Sequence, residues 1–99
     1  MAYTVSSSSV VAAAKDKVFS EIEGEVVVLD LESGTYYGLD SVGARVWHLI
    51  QEPQTVTAVR DALLDEFEVD LGRCEKDLTA LVQEMAAAGL VEVWDETAV

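Results

Sequence analysis

Residues 17–39 constrain the fold more than any other part of the chain, because β-branched and aromatic runs alternate there with glycine turns. Val18-Phe19-Ser20-Glu21-Ile22 meets Glu23-Gly24; Glu25-Val26-Val27-Val28-Leu29-Asp30-Leu31 meets Glu32-Ser33-Gly34; Thr35-Tyr36-Tyr37-Gly38-Leu39 follows. Runs of this kind predict a three-stranded antiparallel meander. A three-residue loop at Glu32-Ser33-Gly34, with Gly34 left-handed, sets Leu31 opposite Thr35, Leu29 opposite Tyr37 and Val27 opposite Leu39. A two-residue loop would set Leu29 against Gly38 and Val27 against Asp40, so apolar pairing favours the first register. Successive side chains of a strand point to opposite faces. Tyr37 is therefore the expected core tyrosine, and Tyr36 is expected on the outer face beside Val26 and Val28.

Helical spacing takes over after Leu39. Asp40 or Ser41 can cap a first helix with Val42, Val46, Trp47 and Ile50 on one stripe, closed by Pro53. Thr55 can cap a second, with Val56, Val59, Leu63 and Phe67. Asp70 can cap a third, with Leu71, Cys74, Leu78, Leu81, Val82 and Met85, and Gly89 is its expected left-handed stop, bringing Leu90 to Met85. Residues 90–94 read as a short final β segment. Strands grouped before helices predict an α+β fold, a three-stranded antiparallel sheet followed by three helices, with the outline of a winged helix-turn-helix at its end. Residues 1–15, serine- and alanine-rich, read as a flexible N-terminal tail, 16–95 as the one domain and 96–99 as a C-terminal tail.

Six Lys plus Arg stand against nineteen Asp plus Glu, a formal charge of −13. Nucleic-acid affinity comes largely from cations neutralising phosphates, so no nucleic-acid partner is expected, and an anionic membrane is disfavoured for the same reason. The expected third helix mixes Arg73 and Lys76 with Glu75, Asp77 and Glu84, which does not suit a recognition helix. The start of the chain has neither a basic region nor a long apolar run, so a cytoplasmic protein without a secretory signal is expected.

The residues offer little catalytic chemistry. His48 is the sole histidine and has no oriented partner in the pattern, so it reads as an ordinary helix residue. Cys74 is the sole cysteine, fits an apolar stripe and reads as a small core residue. The carboxylates lack calcium-loop spacing and the glycines form no phosphate-binding loop. No enzyme activity, metal or cofactor is expected. The sheet, in contrast, has apolar groups on both expected faces. Residues 10–14 folding back, a second copy of the chain, or a docked partner would each cover the outer one. If the third strand is an edge, a peptide can join it as an extra strand.

The order LDLESGTYYGLDSVGARVWHLI, Gln54-Thr55-Val56, FEVD and KDLTALVQEMAAAGLVEV resembles the PqqD-like family over residues 17–93. The tyrosine-rich strand leading into Leu39-Asp40-x-x-Gly43-Ala44-x-x-Trp47, and the helix end at Gly89-Leu90, carry most of that likeness. The resemblance implies a non-catalytic domain that holds the leader segment of a ribosomal precursor peptide as a strand added to the third strand, beside the third helix. Carried onto this chain, it implies a peptide site at Thr35, Tyr36, Tyr37, Gly38 and Leu39, walled by Arg73, Lys76, Asp77, Ala80, Leu81 and Glu84. It further implies service to processing enzymes, a leader peptidase and cyclase of a lasso-type pathway or a radical-SAM enzyme. The strand–helix signature SGTYYGLDSVGARVWHLI is closer to the lasso branch. A winged-helix regulator or a structural protein–protein module is the alternative.

Overall fold

Glu23 and Gly24 both adopt positive φ, 51° and 82°, in the computed structural model, and so form the tight primed turn that joins two antiparallel strands with little splay. The structure describes residues 5–95 except residue 7. The turn joins β2 (Lys17–Ile22) to β3 (Glu25–Asp30), with Ile22 opposite Glu25. β4 (Thr35–Leu39) pairs with the other side of β3, giving a sheet in the order β2-β3-β4.

The β3–β4 register differs by one residue from the sequence-based expectation. Asp30 is opposite Thr35, Leu29 opposite Tyr36, Val28 opposite Tyr37 and Val26 opposite Leu39. The cause is local. The Asp30 carboxylate accepts from the Glu32 N–H and the Ser33 hydroxyl, both at 3.1 Å, and the Asp30 carbonyl accepts from Gly34 N–H at 2.7 Å. These bonds draw Leu31 into a four-residue loop, where it is exposed. A one-residue shift exchanges the faces of β3. Val26 and Val28, expected outside, are fully buried, and Tyr36 instead shares the outer face with Val27 and Leu29. Tyr37 keeps the core side, half-buried opposite Val28.

Lys17 ties β2 to the end of this sheet that carries the β3–β4 loop. Its Nζ lies 3.1 Å from Asp16 Oδ1 and 3.5 Å from Asp30 Oδ1. The bond to Asp16, then both carboxylates' charges, outweigh desolvation and raise its pKa. For Asp30, desolvation pushes the carboxyl upward, but the Glu32 amide, the Ser33 hydroxyl and Lys17 together hold it below its ordinary value.

The helices begin where their caps predict. Asp40 Oδ1 accepts from Gly43 N–H at 2.9 Å to start α1 (Ser41–Leu49). Thr55 Oγ1 accepts from Ala58 N–H for α2 (Val56–Glu66), and Asp70 Oδ2 from Arg73 N–H for α3 (Leu71–Ala87). Gly89 is left-handed, with its N–H on the Ala86 carbonyl and the Leu90 N–H on the Met85 carbonyl, a paired C-terminal stop. Val46 and Trp47 of α1 and its C-cap Ile50 are buried with Val26, Val28, Leu63, Leu78, Val82, Met85 and Leu90 in one core.

Two expectations are corrected by a second sheet. Residues 9–13, expected within a flexible tail of residues 1–15, form β1 (Ser9–Ala13), so the folded unit begins before residue 16. The final segment is a strand, as its sequence suggests. As β6 (Val91–Asp95) it pairs antiparallel with β1, and the short β5 (Gln54–Thr55) pairs with the other side, giving the order β5-β1-β6. Among the described residues the fold is α+β, with two three-stranded antiparallel sheets and three helices. β1 therefore does not cover the outer face of β2-β3-β4. Val11 enters the core, while Ala13 and Ala14 donate to the carbonyls of Ile50 and Leu90. The expected tails at 1–4 and 96–99, and residue 7, lie outside the described residues.

Because β1 is the middle strand of its sheet, removing residues 1–13 strips both β5 and β6 of their partner. The shortened chain is expected to lose cooperative thermal unfolding or to melt well below the full chain by circular dichroism. An unchanged melting temperature would return this segment to the role of a tail.

Candidate functional site

Among the described residues β4 is an edge strand, hydrogen-bonded to β3 alone. The unpaired N–H and C=O groups along such an edge are a template for another strand. Opposite this edge stands α3, and between them lies an open groove of about 330 Å³. Its lining comes from Tyr36, Tyr37, Gly38 and Leu39 of β4, from Leu81, Glu84, Met85 and Ala88 at the end of α3, and from Leu90 beyond it. Leu39, Met85 and Leu90 are buried and belong to the core. Tyr37, Leu81 and Ala88 are half-buried against that core. Tyr36 is 69% exposed at the rim.

The local sequence builds this groove. Leu81, Met85 and Ala88 recur at helical spacing, so one stripe of α3 faces it. The stop at Gly89 then turns Leu90 in beneath it. At the far end of β4, Gly43 allows α1 to start close to the strand. A Cβ there would lie 3.3 Å from Leu39 Cβ and 3.4 Å from Asp40 Oδ1. A Cβ at Gly38 would meet nothing within 4 Å, so the free fold makes no steric demand for glycine at that position.

A second cavity of about 350 Å³ continues past Leu81, which lines both. It lies between the start of α1, the end of α2 and the first turns of α3. Val42, Leu63, Phe67, Val69 and Leu78 form its apolar walls, with Asp40, Gly43, Arg73, Cys74 and Asp77 completing the lining. Arg73 Nε is 3.7 Å from Asp77 Oδ2. Burial pushes the Cys74 thiol up, keeping it protonated and a poor nucleophile.

The expected site residues are thus divided. Tyr36, Tyr37, Gly38, Leu39, Leu81 and Glu84 line the β4–α3 groove, and Arg73, Asp77 and Leu81 the second cavity. Thr35, Lys76 and Ala80 line neither. Met85, Ala88 and Leu90 were missed. Helical spacing continued beyond Leu81 and Glu84 reaches Met85 and Ala88, so the signal for those two was present in the sequence.

His48 and Cys74 are not brought together: His48 lies on α1 with Nε2 3.4 Å from Glu21 Oε2 and its ring against Phe19, whereas Cys74 lines the second cavity. Among the described residues no group of His, Cys, Asp and Glu is placed to hold a metal ion, and no helix is long and apolar enough to cross a membrane.

The outer face of β2-β3-β4 carries Val18, Ile22 and Tyr36, all exposed, with Val27 and Leu29 half-buried. Val28 and Tyr36 separate the two faces experimentally. Val28→Ala is expected to cost about 2 kcal/mol in chemical unfolding, from lost burial and a residual cavity. Tyr36→Ala is expected to stay within about 0.5 kcal/mol of the parent, as an exposed substitution. The reverse ranking would restore the register in which Val28 faces outward.

A family model described as coenzyme PQQ synthesis protein D (PqqD) matches residues 25–91. Among solved structures, the chain is similar to TbiB1 in complex with the TbiA(beta) leader peptide, at 37% identity and a TM-score of 0.76, over 82% of this chain and 94% of that one. Its fold is also that of lasso peptide synthetase B1 complexed with the leader peptide, at 23% identity and a TM-score of 0.73, over 83% of this chain and 96% of that one. No curated protein matches the chain.

Proposed function

The chain belongs to the PqqD family, and we propose on that premise that it is a non-catalytic adaptor which captures the leader segment of a ribosomal precursor peptide. The observation that carries this reading is the unpaired edge of β4 beside an apolar groove, in a chain 37% identical to a protein solved with a leader peptide on it. The leader joins β4 as a fourth strand. Main-chain bonds supply affinity and the groove sorts side chains.

Tyr37 ties the strand to the core and Tyr36 adds apolar surface at the rim. Gly38 leaves room for a close second backbone. Thr35, Tyr36, Tyr37, Gly38 and Leu39 form the docking strand, with Leu81 and Glu84 as the nearest wall. Arg73 and Asp77 stand further along, by the second cavity, while Lys76 and Ala80 lie outside both concavities and have no assigned contact.

The captured leader is presented to processing enzymes in the cytoplasm, a leader peptidase and a ring-closing enzyme of a lasso-type pathway, with a radical-SAM enzyme as the other route. The winged-helix-like outline of α2, α3 and β6 belongs to this reading as architecture only. On α3, Arg73 is paired with Asp77 and Lys76 sits between acidic neighbours, a poor face for a duplex.

A second reading, a structural protein–protein module, is favoured by the exposed apolar face holding Val18, Ile22 and Tyr36. Self-association through that face would appear as a concentration-dependent sedimentation coefficient.

Strand addition is tested by methylating the leader's backbone amides one at a time and measuring binding by calorimetry. The leader is taken from a precursor encoded beside this gene. An added strand uses alternate N–H groups on its paired edge. Methylation should therefore weaken binding at every second position of the docked segment and matter far less between them. Uniform indifference to methylation would contradict strand addition.

A further inference from the structure

Resting on the leader-binding reading, we propose that the captured peptide carries a lysine or arginine placed against Glu84 and flanked by apolar side chains. Among the described residues Glu84 is the one charged residue lining the β4–α3 groove. The other lining groups are Tyr36, Tyr37, Gly38, Leu39, Leu81, Met85, Ala88 and Leu90. Glu84 is exposed, and among the described residues its carboxylate has no hydrogen-bond or ion-pair partner.

Four of the chain's six lysines and arginines are paired with carboxylates elsewhere, and the other two, Lys15 and Lys76, do not line the groove. Lys17 is held by Asp16 and Asp30, Arg45 by Glu66, Arg60 by Asp61 and Glu75, and Arg73 by Asp77. No lysine or arginine lines the groove to balance Glu84. A docked peptide would displace water from the apolar lining, strengthening any charge pair left there. Lysine and arginine match this geometry because their stems lie along apolar surface while the charged head reaches a carboxylate. An acidic side chain at the same place would meet both Glu84 and the field of a −13 chain.

The test selects short random peptides displayed on phage against the full-length wild-type protein and against Glu84→Lys. Peptides are retained only if they shift the β4 amide resonances. Edge binders on the wild type are expected to hold Lys or Arg at one fixed position, and those on Glu84→Lys to hold Asp or Glu there. Replacing that cation by alanine in one such peptide should weaken binding roughly threefold at low salt, the size of a partly exposed ion pair. The loss should vanish in Glu84→Gln and persist in Glu52→Gln, which removes the same charge from an exposed loop. Edge binders with no charge preference would overturn this inference and leave leader capture standing. Failure to select any edge binder would overturn both.

Discussion

The carboxylate of Asp30 sets the register on which the functional edge depends. By accepting from the Glu32 amide and the Ser33 hydroxyl, it closes a four-residue loop and aligns Val28 with Tyr37 and Val26 with Leu39. That alignment sends two valines into the core beneath α1, on the face of Tyr37, and leaves Val27 and Leu29 beside Tyr36. Tyr37 is inward and Tyr36 outward in either register, but a one-residue slip would exchange the two faces of β3 beside them. A short polar loop in this way governs the packing of the core beside the candidate edge strand.

Features decided within a few residues are legible in the sequence. Asp40, Thr55 and Asp70 each show the short polar side chain a helix start needs, and Gly89 the backbone freedom a helix stop needs. The Glu23-Gly24 turn and the stripe through Leu78, Val82 and Met85 were legible for the same reason, since each is decided within a few residues. The β3–β4 register was not, because apolar pairing favoured a loop whose length is set by Asp30 side-chain bonds instead. β1 was missed for a different reason. Serine and alanine are weak strand formers, and the segment Ser9–Ala13 becomes a strand by pairing with Val91–Asp95, at the other end of the sequence.

The candidate site was half legible. The β4 side followed from the tyrosine-rich run and from the resemblance to a peptide-binding family. Of the α3 residues that the resemblance implies, Leu81 and Glu84 line the groove, while Arg73 and Asp77 line a neighbouring cavity. Met85 and Leu90, which form part of the groove floor, look like ordinary core residues in the sequence and are core residues in the fold. Their second role arises because α3 stands off from β4, a separation that side-chain periodicity does not encode. The division of labour is simple: a core assembled from α1, α3 and the two sheets holds an edge strand rigid, and the edge is left unpaired.

The central claim is that β4 captures the leader along its free edge. The most direct measurement is an amide-resolved NMR titration of the full chain with the leader of a precursor encoded beside its gene. The account predicts saturable shifts in Thr35, Tyr36, Tyr37, Gly38 and Leu39 and along Leu81, Glu84, Met85 and Ala88, with β1 and β6 little changed. A folded sample whose β4 amides stay still at saturating leader, or whose shifts are confined to the Val18 and Ile22 face of β2, would contradict it.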